Sequence, residues 1–196
     1  MRLAHIFGMT LVPALILAMR STTPEVEVAV VPTASAIVAA PPVVKKVKRF
    51  QTPPGLRSFM SRMSRTESNN RPGIISKYGM LGKYQFAPTT MRGILGSDVT
   101  PEEFLNDESL QDKAMLTLMR RNRRYLRDLI NEFTGQIVHG VYVTEAGILA
   151  GAHLVGPVGV LAFFHPEKYD AITVDRNGTT VQHYMEKFAD YKLVGL

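Results

Sequence analysis

Glu67 is the residue whose type and position best suit chemistry. Leu56, Met60, Met63 and Glu67 recur at spacings of four, three and four, which puts them on one face of a helix. Ser68-Asn69-Asn70-Arg71-Pro72-Gly73 must end that helix just beyond. A carboxyl on the apolar face of a helix C-terminus loses hydration and meets the negative end of the helix dipole. Both effects favour its protonated form, the form a general acid needs. The same side chain could turn outward to water, and helical phase alone does not choose. The following segment, Ser76-Lys77-Tyr78-Gly79-Met80-Leu81-Gly82-Lys83-Tyr84-Gln85-Phe86, carries two glycines three apart and then Tyr84 and Gln85. Glycine lets backbone approach a ligand closely. Tyr84 and Gln85 supply a flat apolar face and a bidentate amide, a pairing suited to sugar rings. Ser68 is a poor nucleophile, because no His or Lys adjoins it and it sits at a helix end. His153 lies on an apolar helix, either as a ligand contact or as a satisfied core residue. His139 and His165 lack metal-ligand spacing, so no metal and no cofactor is expected.

The elements that must position these groups are mostly helical. Pro88 begins a helix. Thr100-Pro101-Glu102-Glu103 is a capping box with Pro at the first helical position, opening a short helix with Phe104 and Leu105. One long helix is expected over 108–133, with a stripe of Met115, Leu118, Met119, Leu126, Leu129, Ile130 and Phe133. Arg120, Arg121, Arg123, Arg124 and Arg127 fall largely off that stripe, as a solvated face or a polymer-binding groove. Gln136 to Val143 is β-prone and interrupted by Gly140, which predicts a hairpin. Thr144 caps an apolar helix that stops at Gly156-Pro157, and Pro157 opens another that runs to Phe164. Ile172 to Val174 reads as a short strand before an Asn177-Gly178 turn. Thr179 and Gln182 form a second capping box. The last helix then presents Val181, Tyr184, Met185 and Phe188 inward.

The chain ahead of these elements is different. Arg2 precedes an apolar run from Leu3 to Met19, closed by Arg20. That is the pattern of a signal peptide or a retained anchor over 1–20, although a buried core helix would look similar. Residues 21–54 follow as a linker, with Pro24, Pro32, Pro41, Pro42, Pro53 and Pro54 removing donors and fixing φ. Lys45, Lys46, Lys48 and Arg49 end it, as a solvated spacer or a contact for anionic lipid or wall polymer. Of the net charge of +6, residues 1–52 carry +4, which leaves little to argue that residues 53–196 bind nucleic acid. The 196 residues, 45% hydrophobic, suffice for one domain and a tail. The absence of cysteine excludes disulfides, a cysteine nucleophile and thiolate metal sites.

Glu67-Ser68 followed by Ser-x-x-Gly-x-x-Gly-x-x-Gln (Ser76, Gly79, Gly82, Gln85) resembles the lysozyme-like lytic transglycosylases that cleave peptidoglycan. In that family a Glu-Ser pair ends the first helix of the domain and a Gly-Leu-Met-Gln stretch follows. Ala152-His153-Leu154-Val155-Gly156 stands where the family has Ala-Tyr-Asn-Ala-Gly. A late-helix Tyr often faces the catalytic Glu there, and Tyr184 is its counterpart. The resemblance spans about 55–190 and is closest to a divergent branch found in bacterial cell-wall proteins and phage lysis proteins. Lys83-Tyr84 replaces Leu-Met, His153-Leu154 replaces Tyr-Asn, and Gly159 falls one place after the usual glycine, with Val158 in its stead.

The resemblance implies a mainly α, lysozyme-like catalytic domain with a minor β-hairpin over 55–196. It implies Glu67 as the catalytic acid, with Ser68, Ser76, Gly82, Tyr84, Gln85, His153 and Tyr184 around the substrate. Glu67 would protonate the oxygen between MurNAc and GlcNAc, then take the proton of the MurNAc C6 hydroxyl as that oxygen closes on C1. The product is a 1,6-anhydro end. A hydrolytic muramidase needs a second carboxylate, for which Asp98 and Glu145 are available. Glu145 also has an ordinary role as a helix-start charge. A glycan-binding module without turnover and a membrane-tethered assembly protein are the other classes. The expected partner is the glycan strand, with the membrane added if the first segment is retained, for an exported monomer facing the cell wall.

Overall fold

The computed structural model describes residues 54–196. The expected signal or anchor and nearly all of the linker lie outside the described residues. Pro54, placed in the linker by composition, opens the first helix, α1 (Pro54–Ser68). Proline suits that position because the first helical N–H has no intrahelical partner. The remaining elements are α2 (Pro88–Leu95), α3 (Pro101–Asn106), α4 (Glu108–Tyr125), α5 (Arg127–Phe133), β1 (Ile137–Val138), β2 (Val141–Tyr142), α6 (Glu145–Phe164) and α7 (Val181–Lys187). The described part is mainly helical. Its two strands form an antiparallel hairpin pairing Ile137 with Tyr142 and Val138 with Val141.

The apolar periodicities become two adjoining cores. One gathers Leu56, Phe59 and Met63 of α1, Phe86, Met91, Phe104, Met115 and Met119, and Tyr184 and Phe188 at the C-terminal end. The other gathers Leu126 and Leu129, Val141 and Val143, Ile148 and Val160, and Val181 and Met185. Helix α6 contributes to both, which explains why it is apolar all round rather than striped. At Gly147 a Cβ would lie 2.7 Å from the Met185 carbonyl oxygen, and at Gly151 2.8 Å from Val181 Cγ2. These two glycines, one turn apart, let α7 lie directly against α6.

Three local expectations are corrected. The helix expected over 108–133 breaks at Leu126, whose backbone turns to φ −98° and ψ 14°. Such a conformation costs of the order of 1 kcal/mol. The break turns Leu126 and Leu129 into the second core while Met115 and Met119 stay in the first. Burying each leucine is worth about 2 kcal/mol, so burial outweighs helical continuity. Ile172 to Val174 is not a strand, since only Val174 bridges, to Thr180. The cap of α7 is Thr180 rather than Thr179, its hydroxyl accepting from His183 N. Thr179 instead donates its N–H to Asp175 Oδ1.

The other signals hold. Thr100 and Glu103 make the reciprocal capping box, and the backbone N–H of Thr100, then its hydroxyl, hold the Glu103 carboxyl below its usual range. Thr144 caps α6, which is interrupted at Gly156 by a φ of 77°. Val181, Tyr184, Met185 and Phe188 are all buried.

Candidate active site

Glu67 is the penultimate residue of α1, and its side chain is only 15% exposed. It turns inward, which resolves the alternative left open by helical phase. Asn69 and Asn70 then take left-handed φ values of 55° and 59°, and Asn70 N reaches back to the Ser64 carbonyl at 3.0 Å. Asparagine tolerates that region better than most residues, so the helix stops sharply and leaves Glu67 at its end.

Two side chains approach the carboxyl from elements far away in sequence. Tyr184 of α7 donates its hydroxyl to Glu67 Oε1 at 2.6 Å. Burial first, and then the charge and hydrogen bond of Glu67, raise the Tyr184 phenol far above its ordinary range. It is therefore a permanent donor. His153 of α6 has Nε2 2.9 Å from the Tyr84 carbonyl oxygen and 3.9 Å from Glu67 Oε1. A carbonyl only accepts, so Nε2 carries a proton there. His153 Nδ1 is buried with no partner, and the ring packs edge-on to Phe86. Among the described residues, no hydrogen bond reaches Glu67 Oε2.

Glu67 and His153 border an open cleft of about 440 Å³, walled also by Ser76, Gln85, Ile172 and the stretch Val174 to Asn177. Met80, Gln85, His153 and Leu154 also border a neighbouring hollow of about 560 Å³ that reaches Arg121 and Pro157. Glu67 and Asp175 are shared with a third hollow of about 480 Å³ on the α7 side. The cleft thus opens onto a grooved surface, with Glu67 and Asp175 in its lining. Exposed Ile172 and Val174 add apolar wall to it.

Ser76, Gln85, His153 and Tyr184 join Glu67 as expected, but the other sequence candidates do not. Ser68 is 5% exposed, and its hydroxyl donates to the Lys83 carbonyl at 2.9 Å and accepts from Arg71 N at 3.0 Å. It ties the end of α1 to the next loop. Gly82, at φ 71°, lies under the side chain of Gln111, with which a Cβ would collide. Its bareness admits Gln111 rather than a ligand. The Tyr84 ring is buried and its hydroxyl donates to Asp112 Oδ1 at 2.7 Å, so only its carbonyl faces the site through His153. Burial, followed by Asp112, pushes that phenol up as well.

Neither proposed second acid belongs to the cleft. Asp98 sits in the exposed turn after α2, beside Ser97. Glu145 pairs with Arg123 at the start of α6 and borders a different hollow. That is its helix-start role; Arg124 and Arg127 border the same hollow, Arg121 borders the hollow next to the cleft, and these arginines with Arg120 are all exposed. Asp175 is the acid that sequence reasoning missed. Its Oδ1 accepts the N–H groups of Asn177 at 2.8 Å and Thr179 at 2.7 Å. The Asn-Gly turn signal located this loop, but nothing in it revealed that the turn folds onto α1. Lys77, Tyr78 and Arg176 were missed for the same reason.

No family model, no curated protein and no solved structure matches this chain.

Proposed function

We propose that this protein is an exported peptidoglycan lytic transglycosylase with a lysozyme-like domain, cleaving between MurNAc and GlcNAc. The observation that carries this reading is a largely buried carboxyl in an open groove, held by a phenol on one oxygen, while the groove's other carboxylate, Asp175, is bound into its own turn. One carboxyl is sufficient when the nucleophile belongs to the substrate. Glu67 gives its proton to the glycosidic oxygen as the C1–O bond breaks. The resulting carboxylate then takes the proton of the MurNAc C6 hydroxyl, whose oxygen bonds to C1. Tyr184 occupies Oε1 throughout, so both transfers pass through Oε2. His153 keeps the Tyr84 carbonyl, and with it the Gln85 loop, against the acid.

A hydrolytic course is the alternative, and Asp175 is the observation in its favour because it shares the cleft with Glu67. Its carboxylate is, however, committed to its own turn by two backbone N–H groups. Mass analysis of muropeptides released from purified peptidoglycan by the full chain separates the readings. Anhydro-MurNAc ends are expected from the parent protein and none from Glu67→Gln, with thermal midpoints alike. Reducing ends carrying one added water would instead establish a muramidase. Full activity in Glu67→Gln would refute both, and binding without release would leave a glycan-binding module.

A further inference from the structure

The rim of the cleft carries two cations that the chemistry of Glu67 does not use. Lys77 Nζ lies 4.8 Å from the centroid of the Tyr78 ring, and Arg176 Cζ lies 5.9 Å from it. All three line the cleft with Glu67. They come from turns almost a hundred residues apart, and each turn is fastened internally. Gly79 N donates to the Ser76 carbonyl at 2.9 Å, and Met80 N donates to Ser76 Oγ at 3.1 Å. The turn bearing Arg176 is closed around the Asp175 carboxylate. Both cations are therefore presented from fixed backbone at one aromatic ring.

Among the described residues, neither Lys77 nor Arg176 forms a salt bridge. The two acids nearest in the cleft are engaged elsewhere, Glu67 by Tyr184 and Asp175 by its turn. The lining thus combines two cations free of salt bridges with two carboxyls already hydrogen-bonded within the fold, and an anionic ligand group would complete the cations. In a strand that keeps its stems the lactyl carboxyl of each MurNAc is consumed in an amide bond, so the sugar backbone itself is uncharged and offers them nothing. The carboxylates of a peptidoglycan strand lie on the peptide stems that branch from MurNAc.

We propose that Lys77 and Arg176, stacked on Tyr78, form a clamp for the carboxylates of the peptide stem. This makes strands with free stem carboxylates the preferred ligand over strands whose stem carboxyls are blocked as amides, and it rests on the peptidoglycan reading above. Tyr78, 37% exposed, supplies the apolar surface against which both charges rest.

The test measures binding, so that it does not depend on turnover. The full chain carrying Glu67→Gln is titrated with soluble strands whose stem carboxylates are free and with the same strands after those carboxyls are converted to methylamides. The strands with free carboxylates are expected to bind more tightly. Lys77→Ala and Arg176→Ala should each weaken their binding roughly fivefold, the scale of one partly exposed charge pair. The preference should collapse in the double variant, fade with added salt and survive Lys77→Arg. Equal binding of the two strands by the parent, or parallel loss of both in the alanine variants, overturns the clamp. Cleavage by the protein with Glu67 intact is scored separately, so a failed transglycosylase reading leaves the stem preference to be decided on its own.

Discussion

Tyr184 and Glu67 meet through one short hydrogen bond between residues 117 apart in sequence. Its length is at the short end for O–H···O hydrogen bonds, and such a bond to the carboxylate left after the first proton transfer is worth about 2 kcal/mol. The bond fixes the rotamer of the proposed acid and leaves Oε2 as the oxygen that exchanges protons. Tyr184→Phe should therefore lower the cleavage rate roughly thirtyfold while the ring keeps its packing against Phe188. Single-turnover rates beside circular dichroism check this, and an unchanged rate in a folded variant would remove Tyr184 from the mechanism. At this scale the sequence was informative about Glu67 because helical phase and a terminator coincide there. It misplaced Ser68, Gly82 and Tyr84, whose hydroxyl, bare Cα and ring are each used beneath the groove. Residue type says what a side chain can do, but not which side of a loop it faces.

The loop from Pro72 to Phe86 carries Ser76, Tyr78 and Gln85, and it has almost no regular structure of its own. It is held from α4. Gln111, with no exposed surface, donates to the Pro72 carbonyl at 3.0 Å and the Phe104 carbonyl at 2.9 Å, and accepts from Lys83 N at 2.8 Å. Lys83, itself buried, reaches Glu108 at 2.9 Å and Asp112 at 2.8 Å. The floor of the candidate site is therefore a polar network rather than a β-sheet. Gln111→Ala leaves a buried N–H and two carbonyls unpaired, and stability should fall by about 3 kcal/mol. Urea unfolding measures this, and a loss below about 1 kcal/mol would show that the loop is held by packing alone. In the sequence Gln111 is one polar residue on an amphipathic helix. Its partners lie 7, 28 and 39 positions away, and no local pattern connects them.

Across the whole molecule, α6 is the common wall. An 18-residue stretch of it has a mean hydropathy of 1.8, and among the described residues it is the one helix long and apolar enough to cross a membrane. Its apolarity is accounted for by the two cores it separates, and Gly156 breaks its axis. Packed around it are two buried phenols, Tyr84 and Tyr184, whose folded pKa values are raised above the ordinary phenol value by burial and then by a neighbouring carboxylate. The folded state therefore keeps protons that the unfolded chain releases at high pH. Their contribution is fully present below about pH 10 and is lost as pH rises beyond it, at about 1.4 kcal/mol per pH unit for each phenol. Urea midpoints at rising alkaline pH should drop accordingly, and less steeply in Tyr84→Phe. Identical slopes in parent and variant would mean that Tyr84 does not titrate with unfolding.

The sequence by itself determined the mainly helical character, the caps at Thr100 and Thr144, the hairpin between Gln136 and Val143, and the helix-terminal setting of Glu67. Each is a local property, written in periodicity and in residues within a few positions of one another. Only the tertiary structure decided that Glu67 turns inward, that Asp175 rather than Asp98 or Glu145 shares its cleft, and that Lys77 and Arg176 meet at Tyr78. Those outcomes depend on how α1, α6, α7 and the loops between them pack. The free energy that sets the packing comes from burial and hydrogen bonds between residues distant in the chain, which no window of sequence contains.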